Sequence, residues 1–227
     1  MISYHISKVF SIAPYQGEMP QELKQSLAEG LARGALRRFS DSGLHAHAAL
    51  RELKTQESEL LVSASSFAES RSLEEYIDSF PSASPARFQR SVHPSAVQQA
   101  RVPNSAPLRR YIPLAGQEGL AITAVRTALA SNEDNVILIG GEECGTWSVG
   151  IQAGSETGYA FGLRLMKEPG KDQPPSLGTI SWSMDYDDKA DKDASLQHFH
   201  SQLHTRSSYK ASHPDMGSIT LSWNNRP

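Results

Sequence analysis

At 227 residues, with a net charge of −3 at pH 7, 38% hydrophobic and 21% charged residues, the chain is long enough to build one well-packed core and has the makeup of a globular protein. Its lysines and arginines are scattered, which argues against nucleic acid as a partner, and the pairs Arg37-Arg38 and Arg109-Arg110 read as surface or ion-pair residues. No apolar run approaches the 18 residues of a membrane-spanning helix, and "MISYHISKVFSIAPY" lacks the layout of a signal peptide, so a cytoplasmic protein is expected. A single cysteine, Cys144, leaves no intrachain disulfide and no all-cysteine metal site.

In chain order, "ISYHISKVFSIA" alternates apolar and polar residues as a half-buried strand, ended by Pro14. Residues 21–53 carry leucines and alanines at helical spacing, interrupted at Asp41-Ser42-Gly43, and predict two helices joined by a turn. "SELLVSASS" is a short buried strand. "SLEEYIDSFP" has the capping-box spacing from Ser72 to Glu75 and predicts a short helix that stops at Pro81. A helical pattern breaks at Pro94 and resumes through Ala96, Val97 and Ala100. Then follow a strand at Tyr111–Leu114, a helix over 119–130 and the apolar strand "NVILIGGEE", an alternation that predicts a mostly parallel sheet. "GYAFGLRLM" and "LGTISWSMDY" read as antiparallel strands connected through Pro169, Gly170 and Pro174-Pro175. "SLQHFHSQLH" is helical and "GSITLSWN" a closing strand.

Chemistry is most legible in "RYIPLAGQEGLAIT". A strand that turns on glycine into a helix start presents backbone N–H groups and the helix dipole, the setting that activates nucleophiles. Yet the apex holds Ala115, Gly116 and Gln117, none of which attacks a carbonyl, and Glu118 suits a helix start without any catalytic role. Cys144 follows two glutamates that would raise its pKa. His200 and His204 have the i, i+4 spacing of zinc ligands but no acidic ligand at a fixed offset, and read as solvated, and His45 and His47 carry less signal still. "DYDDKADKD" lacks the central glycine and closing glutamate of a calcium loop. No metal and no cofactor is expected.

The order of "LLVSASSFAES", "SPARFQRSVHPSAVQQARV", "IPLAGQEGLAITAVRTAL", "NVILIGGEE" and "GYAFGLRL", over Ser58 to Leu165, resembles the N-terminal half of β-ketoacyl synthases. It is most similar to the short bacterial family of β-ketoacyl synthase-like N-terminal domains. The resemblance implies one such domain over 1–227, an α/β thiolase-like half with a mixed, mostly parallel sheet, a buried helix and flanking helices. Gly140-Gly141-Glu142 matches the family's glycine-glycine-acid motif, and counting back from it places the nucleophile position at Ala115, where the cysteine is missing. His93, Gln117, Gly140 and Gly141 are the acyl-pocket or interface candidates. The implied role is a non-catalytic or chain-length-factor-like partner in fatty-acid, aryl-polyene or polyketide biosynthesis. It would act as a homodimer or a heterodimer with a ketosynthase, through the helix after Pro94 and the strand Tyr111–Leu114, with acyl carrier protein as a further partner. The alternatives are an acyltransferase or thioesterase working through Cys144, Glu118 or a histidine, and an acyl-binding module without a pathway partner.

Overall fold

The computed structural model describes residues 1–32, 34–56, 59–104, 110–168 and 175–224. Eight strands form one sheet: β1 (Ile2–Tyr15), β2 (Leu60–Ser65), β3 (Arg110–Ala115), β4 (Asn135–Glu142), β5 (Gly158–Met166), β6 (Gly178–Ser183), β7 (Tyr209–His213) and β8 (Gly217–Trp223). Their spatial order is β3-β2-β4-β5-β1-β6-β8-β7. The helices are α1 (Gln21–Leu27), α2 (Asp41–Leu53), α3 (Ser70–Ile77), α4 (Pro85–Ser91), α5 (Ser95–Asn104), α6 (Leu120–Ala130), α7 (Trp147–Gly150) and α8 (Leu196–His204).

The mixed α/β class holds, but the parallel pairing expected for most of the sheet is confined to β3-β2-β4. The other pairs are antiparallel. The cause lies in the connections. Parallel neighbours need a crossover helix, supplied here by α3 to α5 and by α6, whereas the only helix between β4 and β5 is the four-residue α7. The expected hairpin of β5 and β6 is also absent, because β1 lies between them and pairs with both. Pro169, Gly170 and Pro174, assigned to that connection, and Arg109 lie outside the described residues.

β2 and β4 read as continuous apolar runs because both sheet faces are covered. Leu60, Val62, Val136 and Leu138 pack toward α6 and α8, while Leu61, Ile137 and Ile139 pack toward α2 and α5. α6 is nearly enclosed: Leu120, Ala121, Ile122, Ala124, Val125, Ala128 and Leu129 are all buried, as expected of the buried helix. β1 passes Pro14 because its register with β5 shifts between Ile12 and Tyr15, an irregularity that tolerates a missing N–H. Asp41-Ser42-Gly43 is no turn. Ser40 accepts from Gly43 N, which makes these residues the capped first turn of α2. Likewise α3 starts two residues before Ser72, so Ser72 does not cap it.

Candidate functional site

A partly open cavity of about 60 Å³ lies between α2, α5 and the C-terminal ends of β2 and β4. Its polar groups come from five separate elements. Glu69, at the entrance to α3, is buried and sends its carboxylate across to the start of α5. There Oε1 accepts from Ala96 N at 3.2 Å and Oε2 lies 2.7 Å from His93 Nδ1. One carboxylate therefore caps α5 and fixes the His93 ring. From α2, His45 turns its Nε2 to Tyr15 Oη at 3.2 Å, the two rings meeting edge-on. Burial pushes the His45 pKa down to about 3, so its ring is neutral at physiological pH. From the sheet, Ser63 Oγ bonds Tyr111 Oη at 2.8 Å.

Behind this lining stand two buried carboxylates. Glu142 accepts from Ser65 Oγ (2.9 Å), Phe67 N (3.3 Å) and Ser66 N. Burial raises its pKa to about 7 against those bonds. Glu143 accepts from the backbone N (3.2 Å) and hydroxyl of Ser42, and burial, with Asp41 and Glu69 adding to it, raises its pKa to about 8. Among the described residues, no ion pair reaches either glutamate. Glu74 is different: burial opposes its charge, but donors from Ser148, Thr146 and Arg71 hold its pKa at about 2.

Of the sequence-derived candidates, the structure gathers His93, Gly140 and Gly141 at this cavity. The glycine pair is dictated by close approach. A Cβ on Gly140 would stand 2.5 Å from the Phe161 ring, and one on Gly141 would overlap Tyr159 O. Ala115, the last residue of β3, and Gln117, just past it, lie elsewhere and are exposed. Glu118 is 85% exposed and pairs with His213 Nε2 at 3.2 Å. Cys144 Sγ takes backbone partners, accepting from Gly17 N (3.2 Å) and facing Glu156 O (3.2 Å). His200 is not solvated, in contrast to expectation. It is buried, bonds Ile12 O at 3.0 Å through Nε2 and stacks on Tyr159. His204 bonds Ser11 Oγ. His47 lies 3.0 Å from Glu29 O. Among the described residues, no group of histidine, cysteine, aspartate and glutamate could hold a metal. Glu69 gave no signal in sequence, because its partners lie 24 and 27 residues away, His93 in the turn before α5 and Ala96 in its first turn.

The elbow that opens α6 has the expected shape, with Gly116 at φ +145° and Gly119 at φ +61°. Its donor end is occupied by protein: Ala121 N donates to Ala194 O at 3.2 Å, and Met216 Sδ packs so closely on Gly119 that a Cβ would overlap it.

The sheet, the buried helix and its glycine elbow define a thiolase-like fold, that of ketosynthases and chain length factors. The chain is similar to a chain from the complex of the ketosynthase ApeO with its chain length factor ApeC from Xenorhabdus doucetiae, with TM-score 0.58 and 16% identity over 98% of this chain and 100% of that one. It is also similar to the ishigamide ketosynthase/chain length factor, with TM-score 0.50 and 10% identity over 73% of this chain and 58% of that one. A third is the module 6 ketosynthase of the bacillaene synthase from Bacillus subtilis 168, with TM-score 0.50 and 11% identity over 86% and 43%. It thus spans the whole of the first and about half of the other two. No protein-family model matches the chain, and no curated protein matches it. Among the described residues, no helix is long and apolar enough to cross a membrane.

Proposed function

We propose that residues 1–227 serve as one ketosynthase-like domain that does not itself condense acyl groups and acts in the cytoplasm as a chain-length-factor-like partner in fatty-acid, aryl-polyene or polyketide-type synthesis. The observation that carries this is the elbow. Its nucleophile position, Ala115, bears no reactive group, one N–H of the α6 start, that of Ala121, is engaged by Ala194 O, and Met216 packs on Gly119 beside it. A match over the full length of a chain from a ketosynthase and chain length factor complex supports the same reading.

Pairing would use β3, which is an edge strand with an unpaired side. Its Tyr111 packs against the buried cluster to which Val97 and Ala100 of α5 also belong, so strand and helix rest on one core. The partner is a second copy or a complete ketosynthase, with acyl carrier protein engaged by the assembly. Co-expression with candidate ketosynthases and carrier proteins, followed by light scattering and mass analysis of products, tests this. A stable complex or a shifted product length supports it. A chain that stays monomeric and leaves products unchanged sinks it.

The alternative of an acyltransferase or thioesterase finds less support, since Cys144 is held by backbone groups and Glu118 points into solvent. An acyl adduct that forms on the purified chain and disappears in Cys144→Ser would favour it.

A further inference from the structure

The cavity beside His93 borders the pairing surface through Tyr111 and Val97, but that role gives no task to its His93 and His45 rings. Its two imidazoles each carry a buried nitrogen with no hydrogen-bond partner among the described residues, His93 Nε2 and His45 Nδ1. Buried polar atoms are seldom left so. In the tautomer that donates from Nδ1 to Glu69, Nε2 carries the ring's lone pair. The remaining wall is largely apolar, built from Ala46, Ala49, Val97 and Ile139. A volume of about 60 Å³ holds only a few water-sized spheres at roughly 10–15 Å³ each, far too little for a long acyl chain.

Charge narrows the class further. Glu69 lines the cavity and turns its carboxylate toward His93, so an anion there meets a like charge. A cation would leave its water for a mostly apolar wall, which is costly. We infer that this cavity is a binding site for a small neutral protic molecule of the short-chain alcohol class, its hydroxyl donating to His93 Nε2 and its alkyl part lying against the α2 and α5 side chains. Glu69 is the positioning residue that holds the ring. The inference does not rest on the pairing role, and either can fail without the other.

The test is a titration of the full chain, labelled with 15N in its histidine rings, with 1-propanol, propionate and propylammonium. The expected result is a saturable shift of His93 Nε2 with propanol, at a dissociation constant on the order of millimolar for so few atoms. The two charged analogues should bind at least tenfold more weakly. His93→Phe, which keeps the ring and removes the acceptor, should weaken propanol at least tenfold, read from the remaining His45 signals. Glu69→Gln, a second variant of unchanged size, should weaken it about threefold. No saturable shift, equal binding of propionate, or full affinity in a folded His93→Phe or Glu69→Gln chain would overturn the site.

Discussion

Replacing Glu143 with glutamine removes a buried acid while keeping its size, and the consequence depends on pH. Glu143 titrates near 8 in the folded chain, well above the ordinary 4.5. An acid with a raised folded pKa contributes stability that is complete below the unfolded value and is lost as pH rises toward the folded one. Three buried histidines act oppositely: His45 near 3, His200 near 4 and His47, also lowered by burial, lie below the ordinary 6.5, so their contribution grows with pH and is largely complete by about 6.5, with about 0.4 kcal/mol still to come from each of His45 and His200. The carboxyl groups therefore show cleanly only between pH 6.5 and 8. Over that window Glu143 spans about one and a half pH units at about 1.4 kcal/mol each, or roughly 2 kcal/mol. Glu142, titrating near 7, adds less than about 1 kcal/mol. Urea unfolding followed by tryptophan fluorescence should show wild-type stability falling by about 1–2 kcal/mol from pH 6.5 to 8, once the remaining gain from the histidines is subtracted. Glu143→Gln can still accept from Ser42, and should be nearly flat, because the small slope due to Glu142 is offset by the histidines. A wild-type curve that is flat or rising in this window, or an unchanged slope in Glu143→Gln, would refute the assignment of buried, uncompensated acids.

Gly141→Ala should destabilise more than Gly140→Ala, because its Cβ meets the Tyr159 backbone rather than the Phe161 ring. Overpacking of about 1–3 kcal/mol at Gly140 corresponds to a drop in Tm of several degrees for a chain of this size, and a larger drop at Gly141 is the expected calorimetric result. Equal melting temperatures would contradict the packing argument. Ala115→Cys should be alkylated readily by a thiol reagent, since the position is exposed, yet gain no acyl adduct from acyl-thioesters, since the Ala121 N–H at the α6 start is already engaged by Ala194 O. An acyl-enzyme seen by intact mass would show that only the thiol was missing.

The elements legible in advance were those whose pattern is local. β2, β4 and α6 were readable because their apolar runs and helical spacing record burial directly. β7 was missed: "YKASH" is short and mixed, and it is a strand only because β8 pairs with it at the sheet edge. The turn at Asp41-Gly43 was misjudged because its residue types suit both a turn and a capped helix start, and a bond between Ser40 Oγ and Gly43 N decides between them. At the cavity, His93 and the glycine pair could be named from motif order, while Glu69 could not.

By itself, then, the sequence determined the mixed class and the buried helix with its glycine elbow, because periodicity and residue chemistry are written in neighbouring positions. Only the tertiary structure decided that most strands pair antiparallel, that His200 is a core residue, and that Glu69, His93 and His45 meet around one cavity. Those outcomes depend on contacts between segments from 24 to 188 residues apart. Such contacts are selected by the packing of whole elements and leave no local trace.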